Sequence, residues 1–296
     1  MTKMKAFGTG SRIGHDSSNY YARKINASVN PIDADEIVEN TIPENALDKI
    51  FCKSSEHMGE LPDNSVHLMV TSPPYNVGKE YDQNLSLKEY RELLTAVFKE
   101  VHRVLVVGGR ACVNVANLGR KPYLPLHSFV IEDMMKLDFF MRGEIIWDKA
   151  SSAGTSMAWG SWLSPTNPSL RDTHEYILVF SKGNNGRLKI NGKQGTITKE
   201  EFVEYTKSVW TFPAQRASMV NHPAPFPPEL PTRLIKLYTF SGDIVLDPFI
   251  GSGTSAVAAL ANNRHYVGYE IDEKYYKIAK KRIWEQTAQT TLIPNI

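Results

Sequence analysis

The sequence contains few cysteines and no long apolar run. Only Cys52 and Cys112 occur among its 296 residues, which argues against a disulfide framework and against a cysteine-rich zinc site. No apolar stretch approaches the roughly 20 residues that a membrane-spanning helix needs. Residues 1–5 carry positive charge without an apolar segment behind them, so they do not form a secretory signal. We therefore expect a protein of the cytoplasm that makes no contact with a membrane.

The sequence also lacks a metal-site motif and a strong net charge. It has no His-Glu-x-x-His run and its eight histidines are scattered, so we expect no catalytic metal. A formal net charge of +2 is too small to indicate a nucleic-acid partner. Residues 1–28 and 182–222 are locally basic, which fits either contacts with phosphates or an ordinary solvated surface.

Short apolar runs bounded by turn residues recur along the chain and indicate seven buried parallel strands. These runs are residues 49–52, 66–71, 110–116, 144–147, 176–181, 244–247 and 265–270. Helical segments fall between most of them. The clearest helix begins at Ser86, where Glu89 completes a capping box, and we expect Gly108-Gly109 to end it. The alternation predicts an α/β fold with a doubly wound, mostly parallel, seven-stranded sheet.

The chain divides into four predicted parts. Residues 1–45 are rich in Ser, Asn, Gly and charge, and we expect an irregular arm. Residues 46–183 and 222–288 supply the two halves of the α/β domain. Residues 184–221 are rich in Gly, Thr and charge and show no convincing strand–helix unit, so we predict that they form a small insertion.

The strongest local signal is Asp-Pro-Phe-Ile-Gly-Ser-Gly-Thr, which runs from Asp247 to Thr254 between an apolar strand and a helical run. Glycines at such a turn let the backbone approach a ligand closely, and Asp247 can accept hydrogen bonds from an ammonium group. The next strand ends in Glu270, where an acidic residue binds ribose hydroxyls. A glycine turn alone could serve packing only, but together with Glu270 it predicts a cofactor site.

A second signal is Thr71-Ser72-Pro73-Pro74-Tyr75, which follows another apolar strand. Two consecutive prolines hold the backbone extended and remove two donors, so the Ser72 hydroxyl and the Pro73 carbonyl are available as acceptors for an amine. Tyr75 offers a flat face for a base that has left its stack. The alternative is an ordinary proline loop in which the serine is a cap.

Together the two motifs resemble those of the amino-methylating DNA methyltransferases of restriction–modification systems. In that family a (D/N/S)-P-P-(Y/F) loop accompanies a D-x-F-x-G-x-G cofactor loop, and the order found here is that of the β group. The likeness covers roughly residues 48–285 and implies a Rossmann-like domain that binds S-adenosylmethionine and acts on double-stranded DNA. Residues 184–221 would be the target-recognition region. A separately acting restriction endonuclease would be a further partner, and both a monomer and a homodimer fit.

The resemblance also assigns the site residues. The catalytic loop would be Ser72, Pro73, Pro74 and Tyr75. The cofactor-binding residues would be Asp247, Pro248, Phe249, Gly251, Ser252, Gly253, Thr254 and Glu270, together with His222, Pro225 and Phe226, whose segment resembles the one that closes over the methionine end of the cofactor. Residues 174–178 resemble a block that shapes the base pocket. The sequence departs from the family pattern at Lys53-Ser54-Ser55. Family members commonly carry an acidic residue here, directly after the strand that in this chain is residues 49–52.

The resemblance extends to the target base. A Ser-Pro-Pro-Tyr loop goes mostly with cytosine and an Asp-Pro-Pro-Tyr loop mostly with adenine, so Ser72 favours the N4 amine of cytosine, with the N6 amine of adenine as the alternative. An RNA or protein amine methyltransferase and a non-catalytic DNA-binding protein are the other interpretations that stay open.

Two further chemistries are disfavoured by the residues themselves. Methylation of a cytosine carbon needs a nucleophilic thiol, usually in a Pro-Cys pair, and neither cysteine follows a proline. A dinucleotide oxidoreductase needs a Gly-x-Gly-x-x-Gly turn, and Ala256 stands where its third glycine would be.

Overall fold

The computed structural model describes residues 23–25, 32, 37–75, 84–119, 122–149, 163–187, 192–215 and 226–292. The chain forms two compact units, residues Met1–Ile32 and Asp33–Ile296. In the first unit only residues 23–25, an exposed bend and turn, and residue 32 are described, so most of the predicted arm lies outside the described residues. All the strands and helices named for the described residues lie in the second unit.

A mixed sheet of eight strands forms the centre of the described part of this unit. Its strands in chain order are β1 Lys49–Phe51, β2 Val66–Thr71, β3 Leu105–Val115, β4 Phe139–Asp148, β5 His174–Lys182, β6 Val209–Thr211, β7 Ile244–Asp247 and β8 His265–Tyr269. Their order across the sheet is β1-β8-β7-β2-β3-β5-β4-β6. All pairings are parallel except the two that β5 makes, with β3 and with β4. The predicted α/β class with a mostly parallel sheet is confirmed.

Helices cover both faces of the sheet. In the described residues they are α1 Leu87–Val104, α2 Leu126–Lys136, α3 Lys199–Tyr205, α4 Glu229–Tyr238, α5 Thr254–Ala261 and α6 Glu273–Leu292. Because side chains alternate between the faces of a strand, Val113 of β3 joins a core with α1 and α2, whereas Cys112 joins a second core with α4 and α5. This is the doubly wound arrangement that the sequence predicts. No helix in the described residues is long and apolar enough to cross a membrane.

Helix α1 begins as the sequence predicts but ends earlier. The Ser86 hydroxyl accepts from the amide of Glu89 at 3.3 Å, and the Glu89 carboxylate accepts from the amide of Ser86 at 2.8 Å. The expectation that Gly108-Gly109 ends this helix is wrong, because β3 already begins at Leu105. Gly108 has a φ of +77°, and a Cβ there would lie 2.3 Å from the carbonyl oxygen of Gly186. The glycine therefore permits a close backbone approach inside a strand, a common use of glycine there.

The sheet differs from the prediction in two ways. It has an eighth strand, β6, which pairs in parallel with β4 and lies within residues 184–221. Strand β5 runs antiparallel to its neighbours. The sequence did not predict this, because apolar periodicity does not encode strand direction. The expectation of no strand–helix unit in this range is also wrong, since α3 precedes β6 and begins with a capping box between Thr198 and Glu201. That box was a signal present in the sequence.

A buried cluster of charges lies where β2 and β7 begin. The Asp243 side chain is fully buried and binds Arg187 and the Nζ of Lys193, the latter at 2.7 Å. Arg187 also lies 3.1 Å from Glu39, and the Nε2 of His67 lies 3.4 Å from Glu39. Two cations from the predicted recognition region are thus paired inside the protein. The positive charges of Arg187 and Lys193 therefore neutralise a buried carboxylate.

We expect Arg187→Met to lower the free energy of unfolding by about 3–5 kcal/mol, because breaking a buried pair leaves a buried charge poorly compensated. Urea denaturation measures this. The matched control is Lys207→Met, which removes the exposed pair with Glu204 and should cost no more than about 1 kcal/mol. Equal effects of the two substitutions would contradict the assignment.

Candidate active site

The two sequence motifs meet at one edge of the sheet. Strands β2 and β7 are parallel neighbours, so the loops that follow them leave the same edge. The Oγ1 of Thr71, the last residue of β2, donates to the Oδ1 of Asp247, the last residue of β7, at 2.6 Å. These residues are 176 positions apart in the chain. The structure therefore brings the predicted catalytic loop directly beside the predicted cofactor turn.

Asp247 ties the turn to its surroundings. The residue is 2% exposed, and its carboxylate also accepts from the Ser255 hydroxyl at 2.6 Å and from the Phe249 amide at 3.1 Å. Burial raises the pKa of Asp247 to about 6, although these three hydrogen bonds oppose the rise. A carboxylate has about four acceptor positions. The three donors leave room for one further hydrogen bond, so a contact with a ligand would add to a structural role that the sequence did not reveal.

The glycine turn is shaped for a close approach of backbone. Gly253 caps the start of α5 with a φ of +83°, and a Cβ on it would lie 3.1 Å from the Cβ of Ala279. The amide of Gly251 donates to the Oε2 of Glu270 at 2.9 Å, while the amide of Asp272 donates to its Oε1 at 2.9 Å. Burial raises the pKa of Glu270. Each carboxylate oxygen keeps acceptor capacity for a hydroxyl donor.

Arg282 supports the glycine turn, although it lies outside both motifs. From α6 its Nη1 donates to the Ser252 hydroxyl at 2.9 Å and to the Thr254 hydroxyl at 3.2 Å, and it also binds the Ser252 carbonyl. A guanidinium can hold several acceptors at once in a fixed geometry. Arg282 thus fixes the glycine turn, and no local pattern in the sequence connects it to a loop about 30 positions earlier.

The residues of the predicted catalytic loop contact one another and the neighbouring strand β5. Pro73 is buried, and the Ser72 hydroxyl lies 3.1 Å from the hydroxyl of Tyr75. Tyr75 packs against the core and donates to the Oε2 of Glu175 at 3.4 Å. Burial raises the pKa of Tyr75 well above its ordinary value, and the negative charge of Glu175 raises it further. Tyr75 is therefore a neutral hydroxyl at physiological pH.

Glu175 connects the catalytic loop to two residues that sequence reasoning missed. Its Oε2 accepts from the Nδ2 of Asn114 at 2.6 Å, and its Oε1 accepts from the Nζ of Lys149 at 2.8 Å. Asn114 stands between Val113 and Val115 in the buried strand β3. A buried polar residue in an apolar run was the available signal. Residues 174–178 therefore reach the catalytic loop through Glu175.

The other predicted positions fall in three groups. Pro248, Ser252 and Thr254 are buried in the turn or only partly exposed there. Phe249 and Phe226 are half-buried and pack against the two cores of the sheet, one on each face. His222 and Pro225 lie outside the described residues.

Lys53 stands where family members commonly carry an acidic residue. It pairs with Glu60 at 2.6 Å and lies over the ring of Tyr269. Among the described residues, no group of three or more His, Cys, Asp or Glu could hold a metal ion.

A doubly wound sheet with a glycine turn, an acidic strand end and a Ser-Pro-Pro-Tyr loop at one edge defines the class of amino-methyltransferases. A family model for DNA methylases of the N6/N4 type matches residues 66–281. This range includes the catalytic loop, Glu175, the glycine turn and the first part of α6. The chain belongs to the N6/N4 DNA methylase family.

Individual relatives agree with this assignment. The type II methyltransferase M.MjaI of Methanocaldococcus jannaschii is 34% identical over 275 residues, covering 79% of this chain and 90% of the relative. The DNA adenine methyltransferase YhdJ of Escherichia coli is 31% identical, covering 76% of this chain and 78% of the relative. A Thermus thermophilus protein, described as a DNA modification methylase and solved with S-adenosyl-L-methionine, matches with a TM-score of 0.65 at 29% identity, covering 80% of this chain and 93% of that one.

Asp247→Asn provides a pH-dependent test of the turn. The pKa of Asp247 rises from 3.8 to about 6 on folding, so folding favours the protonated carboxyl and this stabilisation is lost as the pH rises through that range. Asparagine does not titrate. The difference in unfolding free energy, variant minus wild type, should therefore increase by about 3 kcal/mol between about pH 3.5 and about pH 7. Chemical denaturation at several pH values measures it, and a difference that does not change with pH would refute the proposed environment.

Proposed function

We propose that this DNA methyltransferase transfers the methyl group of S-adenosylmethionine to the N4 amine of cytosine at specific sites in duplex DNA, as the modification enzyme of a restriction–modification system. The observation that carries the proposal is the hydrogen bond between Thr71 and Asp247. It supports the proposal because it holds the loop that we propose binds the amine beside the turn that we propose binds the cofactor, and direct methyl transfer requires such proximity.

The residues of the turn fit S-adenosylmethionine. This cofactor supplies a methyl group bound to a positively charged sulfur. Gly253 lets the start of α5 pack closely against Ala279 of α6, and Glu270 retains acceptor capacity for ribose hydroxyls. The remaining acceptor position of the Asp247 carboxylate suits a charged amine. We place His222, Pro225 and Phe226 over the methionine end on the resemblance described above.

Ser72 and Pro73 would activate the target amine. The lone pair of a base amine is conjugated with the ring, which makes the nitrogen a poor nucleophile. Hydrogen bonds from its two hydrogens to the Ser72 hydroxyl and the Pro73 carbonyl favour a tetrahedral nitrogen and return lone-pair density to it. The nitrogen would then form its bond to the methyl carbon as the carbon–sulfur bond breaks and its electron pair goes to sulfur, and one amine proton would be released to solvent water. Tyr75 would support the base by stacking.

The N6 amine of adenine is the second candidate target. The observation that favours it is the 31% identity to an Escherichia coli enzyme named for adenine methylation. Both amines meet the same acceptors in this mechanism, and Ser72 at the head of the loop is the residue that favours cytosine.

Mass analysis of nucleosides tests the proposal directly. Unmethylated plasmid DNA incubated with the purified protein and S-adenosylmethionine should contain N4-methylcytosine. Ser72→Ala should abolish the product, because the amine loses an acceptor. Finding N6-methyladenine without N4-methylcytosine would contradict the cytosine assignment and leave the amine mechanism intact. Labelled methyl in RNA or protein but not in DNA would contradict the proposed substrate class.

Arg282→Met tests the cofactor turn. Removing charge-assisted hydrogen bonds that each contribute about 1.5–3 kcal/mol should loosen the turn and weaken S-adenosylmethionine binding by at least about tenfold, which corresponds to about 1.4 kcal/mol. Calorimetric titration measures the affinity. Lys281→Met alters the neighbouring, exposed position of α6 and should leave the affinity unchanged. Equal affinities for the two variants would remove the role given to Arg282.

A further inference from the structure

We propose that Glu175 is a positioning residue that fixes the direction of the hydrogen bond between Ser72 and Tyr75, so that Ser72 presents its lone pairs to the target amine. The inference rests on the proposed amine methylation. It adds a role for three residues, Glu175, Lys149 and Asn114, that belong neither to the catalytic loop nor to the cofactor turn.

The contacts form an unbroken chain of hydrogen bonds. Ser72 and Tyr75 hydroxyls lie 3.1 Å apart, and the Tyr75 hydroxyl lies 3.4 Å from Glu175. The second distance exceeds the common O–H···O range of about 2.5–3.0 Å, so it is the longest contact of this chain. Glu175 in turn contacts Asn114 at 2.6 Å and Lys149 at 2.8 Å.

The surroundings of Glu175 define what it can do. The ammonium of Lys149 and the amide nitrogen of Asn114 are both donors, and each faces a different carboxylate oxygen. Lys149 and Glu175 are both mostly buried, so this geometry is held inside the protein. A carboxylate surrounded by donors accepts hydrogen bonds and donates none.

The direction of the remaining bonds follows from counting hydrogens. A tyrosine hydroxyl has one hydrogen, and Glu175 can only accept it. Tyr75 therefore has no hydrogen left for Ser72, and the bond between them requires that Ser72 donates. The Ser72 hydrogen then points at Tyr75, which leaves the serine lone pairs free for the hydrogens of the amine. In the opposite direction the serine hydrogen would be free to compete for the lone pair of the amine nitrogen.

Glu175→Gln should reverse this direction. Lys149 can only donate, so it orients the amide oxygen of the glutamine toward itself and turns the amide nitrogen toward Tyr75. Tyr75 must then accept a hydrogen bond from the glutamine amide, and its own hydroxyl hydrogen points at Ser72. We expect the single-turnover rate of methyl transfer to plasmid DNA to fall by at least about tenfold, because the freed serine hydrogen competes for the lone pair of the amine nitrogen. Affinities for S-adenosylmethionine and for DNA should stay unchanged.

The matched control is Glu144→Gln. Glu144 is a half-buried glutamate of β4, opposite Leu178 of β5, and among the described residues its side chain makes no hydrogen bond to the catalytic loop. Its variant should keep the wild-type rate.

A double-mutant cycle decides whether Glu175 acts through Tyr75. Tyr75→Phe removes the hydroxyl but keeps the ring, so part of the activity should remain. In the Tyr75→Phe background, Glu175→Gln should change the rate by less than about twofold. The same loss in both backgrounds, or a Glu175→Gln rate equal to that of Glu144→Gln, would overturn the inference. A wild-type protein that methylates no DNA would instead overturn the proposed function, and that outcome is distinct because it precedes any comparison of variants.

Discussion

The arrangement of the site depends on one buried hydrogen bond, between the hydroxyl of Thr71 and the carboxylate of Asp247. Its partners end two parallel neighbouring strands, β2 and β7. Because both strands run in the same direction, their loops leave the sheet at the same edge, and the hydrogen bond fixes the separation of those loops. Two motifs far apart in the sequence therefore lie side by side.

The Ser72 side chain carries no charge of its own. Glu175 reaches Ser72 only through the hydroxyl of Tyr75. Burial and Glu175 together raise the pKa of Tyr75, so this hydroxyl stays protonated. In the proposed mechanism it would therefore pass on a hydrogen-bond direction to Ser72 and not a charge. Acceptors of this kind stabilise an amine that develops tetrahedral character without removing its proton before attack.

The fold and both motifs could be predicted from the sequence because their signals are local. Apolar runs, the Ser86 capping box and the glycine turn each lie within a few consecutive residues. The missed features depend on contacts between distant segments. Strand β6 has three residues, too few for a periodic pattern, and the antiparallel direction of β5 is decided by its partners. Arg282 and Lys149 meet their partners only in the folded chain, which brings α6 beside the glycine turn and the residue after β4 beside Glu175 of β5.

Strand β7 shows how the same residue type serves opposite purposes at the two edges of the sheet. Asp243, just before its start, is buried, which by itself would raise its pKa, yet His67, Arg187, Lys193 and the Phe240 amide together lower the pKa below its ordinary value. Asp247, at its end, is surrounded by hydroxyls and an amide, and burial raises its pKa. The charge at the first edge is neutralised within the protein and stabilises the fold. The charge at the second edge has no cation among its hydrogen-bond donors in the described residues, so a cationic group of a bound cofactor would complete it and be held there by the same low-dielectric surroundings that raise the pKa.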